Sequence, residues 1–131
     1  MALELIETKK NRPGKFSFPT LSIYSKLHKL VFNIEGTALL YTLGDGEIVD
    51  YVQMYRDTKN PDVFYIKPAQ QNDPGARKLG RARSTKAGGR FVCGGVIIKS
   101  LGWDIDKGVT IRILEDKRHP GMIVVDRNEI V

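Results

Sequence analysis

An internal repeat constrains this chain more than any other feature. Tyr51 to Ala69 reads YVQMYRDTKNPDVFYIKPA, and Thr110 to Asn128 reads TIRILEDKRHPGMIVVDRN. At an offset of 59 (51 onto 110), Val52 and Met54 fall on Ile111 and Ile113, Asp57 on Asp116, and Pro61 on Pro120. The run Val63-Phe64-Tyr65-Ile66 falls on Met122-Ile123-Val124-Val125. Each copy is an apolar run, an Asp, a polar segment closed by Pro, and a second apolar run. β-Branched and aromatic arms joined by turn-forming residues predict a β-hairpin. Two copies in 131 residues predict a duplicated chain.

The segments before each hairpin extend the pattern. Thr20 to Asn33 predicts a hairpin turning at Ser25-Lys26, and Ile34 to Leu43 a short helix with Ile34, Ala38 and Tyr41 at helical spacing. Asn33 supplies its N-cap, and Gly44-Asp45-Gly46 ends it. In the second half, Arg90-Phe91-Val92-Cys93 aligns with Lys29-Leu30-Val31-Phe32 at an offset of 61. Val96 to Leu101 is the second helix, Gly102-Trp103 its end, and Lys107-Gly108 the turn into the last hairpin. Each half thus reads β-β-α-β-β. The division is an N-terminal segment over 1–18, a first repeat over 19–69, a linker over 70–80 and a second repeat over 81–131, the two repeats forming one globular unit. The fold class is α+β, mostly β.

Charge is segregated along the chain. Lys9 to Ile34 holds six Lys or Arg and no acid, and Arg77 to Trp103 holds seven and no acid. The remainder carries all 15 acids against 8 of the 21 basic residues. Such polarity attracts a polyanion to one face. No apolar run is long enough to span a membrane. MALELIETKK lacks the order of a signal peptide. One cysteine excludes an internal disulfide and fits a reducing cytoplasm.

Individual residues point away from catalysis. Cys93, aligned with Phe32, is predicted to pack in the core without an activating partner. His28 and His119 are far apart and lack a metal-ligand cluster. Asp57 and Asp116 open hairpin loops, where Asp accepts backbone N–H bonds. Gly88-Gly89 and Gly94-Gly95 lack the spacing and lysine of a phosphate loop. Trp103 reads as a core anchor beside the helix end. No enzyme, cofactor or metal is expected. Tyr24, Tyr51, Tyr55 and Tyr65 are either strand packing or stacking surfaces for single strands.

Arg90, Phe91, Val92, Leu101, Gly102, Trp103, Gly108, Val109, Ile111 and Ile113 form a pattern: a basic residue, a β run, a helix ending in Leu-Gly, a Gly turn and a V-x-I-x-I hairpin strand. Lys29, Val31, Leu43, Gly44, Val52 and Met54 repeat it more loosely. The pattern resembles the SpoVT/AbrB family of swapped-hairpin DNA-binding domains, in two copies covering about 100 residues. It departs from the family at Asn33 and Gly94, where a Pro usually opens the helix. The resemblance implies that two β-β-α-β-β units exchange hairpins to close a small barrel. Here that would be an intrachain pseudo-dimer, as in the MraZ branch, or a homodimer. It also implies that basic loops from the N-terminal strands lie side by side and meet duplex DNA. The expected contacts are Lys26, His28 and Lys29 in one half and Arg77, Lys78, Arg81, Arg83, Lys86 and Arg90 in the other. The expected function is a small cytoplasmic DNA-binding protein of the transcriptional-regulator type. The alternatives are a single-strand-binding module and an antitoxin- or phage-type module with a protein partner.

Overall fold

The structure is a computed structural model that describes residues 17–24, 29–81, 89–103 and 108–131. Among these residues, ten strands and two helices follow in order: β1 (Thr20–Tyr24), β2 (Lys29–Phe32), α1 (Ile34–Leu43), β3 (Tyr51–Asp57), β4 (Asn60–Ala69), β5 (Arg77–Lys78), β6 (Gly80–Arg81), β7 (Arg90–Cys93), α2 (Gly95–Ser100), β8 (Val109–Arg112), β9 (Leu114–Glu115) and β10 (Ile123–Asp126), with a 3-10 turn at Arg127–Glu129. Sheet I has the order β6-β7-β2-β1-β8 and sheet II the order β5-β3-β4-β10-β9, both antiparallel. The chain is therefore mostly β, with helices in the minority. No helix among the described residues is long and apolar enough to cross a membrane.

The ladders form two sheets, not the single closed barrel that the resemblance implied. The reason lies at two bends. Segment 77–81 belongs to sheet II through β5 and to sheet I through β6, and segment 109–115 belongs to sheet I through β8 and to sheet II through β9. At the bends, Leu79 and Ile113 are buried. The Leu79 N–H donates to Asp50 O at 2.8 Å, and the Ile113 N–H donates to Pro19 O at 3.0 Å. An apolar side chain in the core and a backbone bond outside either ladder satisfy the kinked residue. The stretch read as a linker accordingly contributes strands at 77–81, and only 70–76 is loop.

Local signals placed α1 well. Asn33 Oδ1 accepts the Gly36 N–H at 2.6 Å and the Thr20 N–H at 3.0 Å, so one side chain caps the helix and ties it to β1. Asp45 (φ 63) and Gly46 (φ 77) take the left-handed turn that stops it. Its buried residues are Gly36, Thr37 and Leu40, whereas Ile34 and Ala38 of the predicted face are exposed. The helix approaches β1 so closely that a side chain at Gly36 would meet Thr20 O, and this rotates the buried stripe. One continuous core lies between the sheets, built on Leu21, Phe32, Leu40, Phe64, Ile66, Val92, Ile111 and Ile123. Trp103 joins it, its indole Nε1–H donating to Pro61 O at 2.6 Å and its ring 5.5 Å from Phe64.

The burial pattern revises one alignment. In the hairpins, the offset of 59 keeps faces in step: Phe64 and Ile66 are buried, as are Ile123 and Val125, with Tyr65 and Val124 half-buried between them. In β2 and β7 the offset of 61 does not. Leu30 and Phe32 face the core from β2, whereas Arg90 and Val92 face it from β7. An offset of 60 restores agreement, setting Leu30 on Arg90 and Phe32 on Val92. A one-residue slip turns every strand side chain to the other face. It accounts for two corrections together: Cys93 is exposed instead of in the core, and Arg90 is in the core instead of at the surface.

Two outcomes are expected. The thiol of Cys93 reacts with a disulfide reagent in the native protein at a rate close to that of an unstructured thiol; protection until unfolding would return it to the interior. Gly80 lies beneath the Phe91 ring, and an added Cβ would strike that ring. Gly80→Ala is expected to cost about 1–3 kcal/mol, read as a lower urea midpoint with an unchanged slope.

Candidate nucleic-acid interface

The outer face of sheet I is read from strand register. Rows across β7, β2, β1 and β8 run Phe91, Val31, Ser22, Thr110 and, at one end, Cys93, Lys29, Tyr24. Arg112 stands at the other end beside Thr20. Two cations on this face lie across aromatic rings. Lys29 Nζ is 4.5 Å from the Phe91 ring centroid, and the Arg112 guanidinium is 4.4 Å from that of Phe18. These contacts are within cation–π range and hold the charges in place without neutralising them. Ser22 Oγ and Thr110 Oγ1 are hydrogen bonded at 2.9 Å between them.

Charge divides by sheet. The strands of sheet I carry Lys29, Arg81, Arg90 and Arg112 and no acid. The strands of sheet II carry Arg56, Lys67, Arg77 and Lys78 against Asp57, Asp62, Glu115 and Asp126. Among the described residues, Lys29, Arg81 and Arg112 make no ion pair. Arg112 is the cation that sequence reading missed. It lies outside both acid-free runs, and only the β1–β8 pairing brings it to this face.

Apart from Arg90, which is buried, the predicted contacts separate into three groups. Lys29 and Arg81 belong to sheet I, with Arg81 exposed at its edge strand. Arg77 and Lys78 belong to β5 of sheet II. Lys26, His28, Arg83 and Lys86 lie outside the described residues, as do the basic stretch Lys9 to Lys15 and the Ser25-Lys26 turn. The strands flanking the two loops show that the loops leave sheet I at opposite ends, because β2 and β7 are antiparallel with Lys29 opposite Cys93. Lys29 and Arg90 are thus about three residues apart along the strand axis, roughly 10 Å.

Arg90 is not available to a ligand. Its side chain is 3% exposed and every guanidinium N–H is engaged. Nε donates to Gly80 O at 3.2 Å, and Nη1 donates to Tyr41 Oη at 2.8 Å and Val49 O at 3.0 Å. Nη2 donates to Asp50 Oδ1 at 3.0 Å and Leu79 O at 3.2 Å. The Arg90 backbone N–H donates to Thr37 Oγ1 at 3.1 Å. Burial lowers the guanidinium pKa, but the bonds to Tyr41 and Asp50 raise it more, so the net shift is upward and the group stays charged.

The remaining candidates lie in the hairpin loops and on the strands. Asp57 Oδ1 accepts the Lys59 N–H at 2.8 Å, as turn chemistry requires. Asp116 instead pairs with the His119 ring, Oδ2 to Nδ1 at 2.6 Å, inside its own hairpin loop. That His119 ring is 5.0 Å from the Tyr65 ring. Burial raises the Tyr65 pKa, with Asp116 and Asp57 adding to the shift. Tyr24 and Tyr55 are the more exposed tyrosines, Tyr24 on sheet I and Tyr55 on sheet II.

Removing the buried guanidinium leaves three carbonyls and a hydroxyl without donors. Arg90→Met is expected to lose roughly 3 kcal/mol or more of unfolding free energy. Arg90→Lys is expected to recover little, since a point charge cannot reach five acceptors. Urea denaturation checks both; a near-wild-type Arg90→Met midpoint would contradict the structural role.

Comparison with protein-family models, curated proteins and solved structures gave no match to this chain.

Proposed function

We propose that the protein is a small DNA-binding regulator that presents sheet I to duplex DNA. The observation carrying this reading is the acid-free sheet: Lys29 and Arg112 stand on its outer face with no ion pair among the described residues, Arg81 is exposed at its edge strand on the side of its cross-strand partner Arg90, and the acids of the strands lie in the other sheet. The loops bearing Lys26 and His28, and Arg83 and Lys86, join strands of the same sheet. Clustered Lys and Arg displace condensed counterions from the phosphate backbone and give affinity without acidic repulsion.

In this reading the two halves arose by duplication and exchange strands within one chain, in a SpoVT/AbrB-like arrangement opened into two sheets. The supporting observations are the pairings between halves, β1 with β8, β2 with β7 and β4 with β10. At the offsets of 60 and 59, the paired residues Val31 and Phe91, and Tyr65 and Val124, each face their own counterpart. An approximate two-fold axis through both sheets has that property. Tyr24, 44% exposed and paired with Lys29, favours single-strand stacking as the second reading.

The test is a salt titration over about 50 to 200 mM with labelled duplex and single-stranded DNA, comparing wild type with Lys29→Ala/Arg81→Ala/Arg112→Ala. Tighter duplex binding is expected, with the triple variant lowering the log–log salt slope by about 3. Single-strand preference would transfer the face to the stacking reading. No binding to either at the lowest salt would overturn both and leave the face to an acidic protein partner.

A further inference from the structure

We infer that the shallow cleft between β5, β7 and α2 anchors one phosphate group of the nucleic-acid backbone, an inference that rests on the DNA-binding reading above. Arg77, Cys93, Gly95, Val96 and Lys99 line it, and none of them is acidic. Two cations, Arg77 and Lys99, line the cleft with Cys93, and a third, Lys29, is on the neighbouring strand. Arg77 Nη1 donates to Cys93 O at 3.2 Å, which fixes the guanidinium at the cleft while its other N–H groups have no partner among the described residues. Lys99 is exposed on α2 and makes no ion pair among those residues. Lys29 is the cross-strand partner of Cys93, with its ammonium held over Phe91. A guanidinium donates two parallel N–H bonds to a phosphate, and ammonium groups beside it neutralise the charge. The cleft meets the outer face of sheet I at Cys93. A duplex on that face therefore brings its backbone past this point.

Neither Arg77 nor Lys99 is needed for the core, so both are open to substitution. Lys99→Gln removes no side-chain hydrogen bond among the described residues and serves as the variant that folds; Arg77→Gln/Lys99→Gln is the stronger one. Two readouts apply: the salt slope of duplex binding, and the rate at which a disulfide reagent modifies Cys93, the sole thiol. Lys99→Gln is expected to lower the slope by about 1 and the double variant by about 2. Saturating duplex is expected to slow Cys93 modification about tenfold, and inorganic phosphate at millimolar concentration to slow it less. Duplex binding with an unchanged Cys93 rate and an unaltered Lys99→Gln slope would overturn the cleft and leave the DNA-binding reading standing. Protection by inorganic phosphate but not by bound duplex would make this a free-phosphate site and overturn the inference. Failure of the wild type to bind duplex at all would bring down the reading and the cleft together.

Discussion

The buried guanidinium of Arg90 is the interaction on which the architecture depends. Segment 77–81 must leave sheet II and enter sheet I, and a strand that changes sheets abandons ladder bonds at the crossing. Arg90 supplies donors there, to Leu79 O and Gly80 O, and also to Val49 O and Asp50 ahead of β3. Tyr41 Oη brings in the last turn of α1, and Thr37 takes the Arg90 backbone N–H. One side chain thus ties β7 to the helix, to the loop before β3 and to the crossing strand. A buried ion pair is weak evidence for net stability by itself, but a fully satisfied network specifies one arrangement over its competitors.

The opposite crossing is made differently. Ile113 is buried and its N–H reaches Pro19 O, with no charge involved. The two crossings perform the same task with different chemistry. At the offset of 60, Arg90 of β7 aligns with the apolar Leu30 of β2, and both are buried. The two bends also set the distribution of charge, because they decide which strands share a face. Arg112 comes from the segment after Trp103, where acidic and basic residues are mixed, and β8 carries it beside β1. Lys78, one residue before the bend at Leu79, goes to the other sheet.

Much of the element order was legible in the residues. The Asp-to-Pro spacing of each hairpin, the Asn33 cap and the Gly-Asp-Gly stop are local signals, and their geometry is local too: Asn33 accepts from Gly36, and Asp57 from Lys59. Strand register between halves is not local. RFVC and KLVF differ by one residue in facing, and alternation within four residues cannot distinguish a buried arginine from an exposed one. The error on Arg90 and the error on Cys93 were therefore a single error. For the candidate site, Lys29 and Arg81 were visible as members of basic runs, while Arg112 was not.

The sequence by itself determined the strand-rich composition, the positions of the helices, the repeated hairpins and the separation of charge along the chain, because these follow from spacing, capping and turn chemistry within a few residues. Only the tertiary structure decided that the strands form two sheets bent into each other, that Arg90 is a buried hub, and that Lys29, Arg81 and Arg112 belong to one acid-free sheet. Those outcomes depend on pairings between the halves, from Ile66 with Ile123 (57 positions apart) to Thr20 with Arg112 (92 apart), and pairing is settled by which faces bury together in the common core.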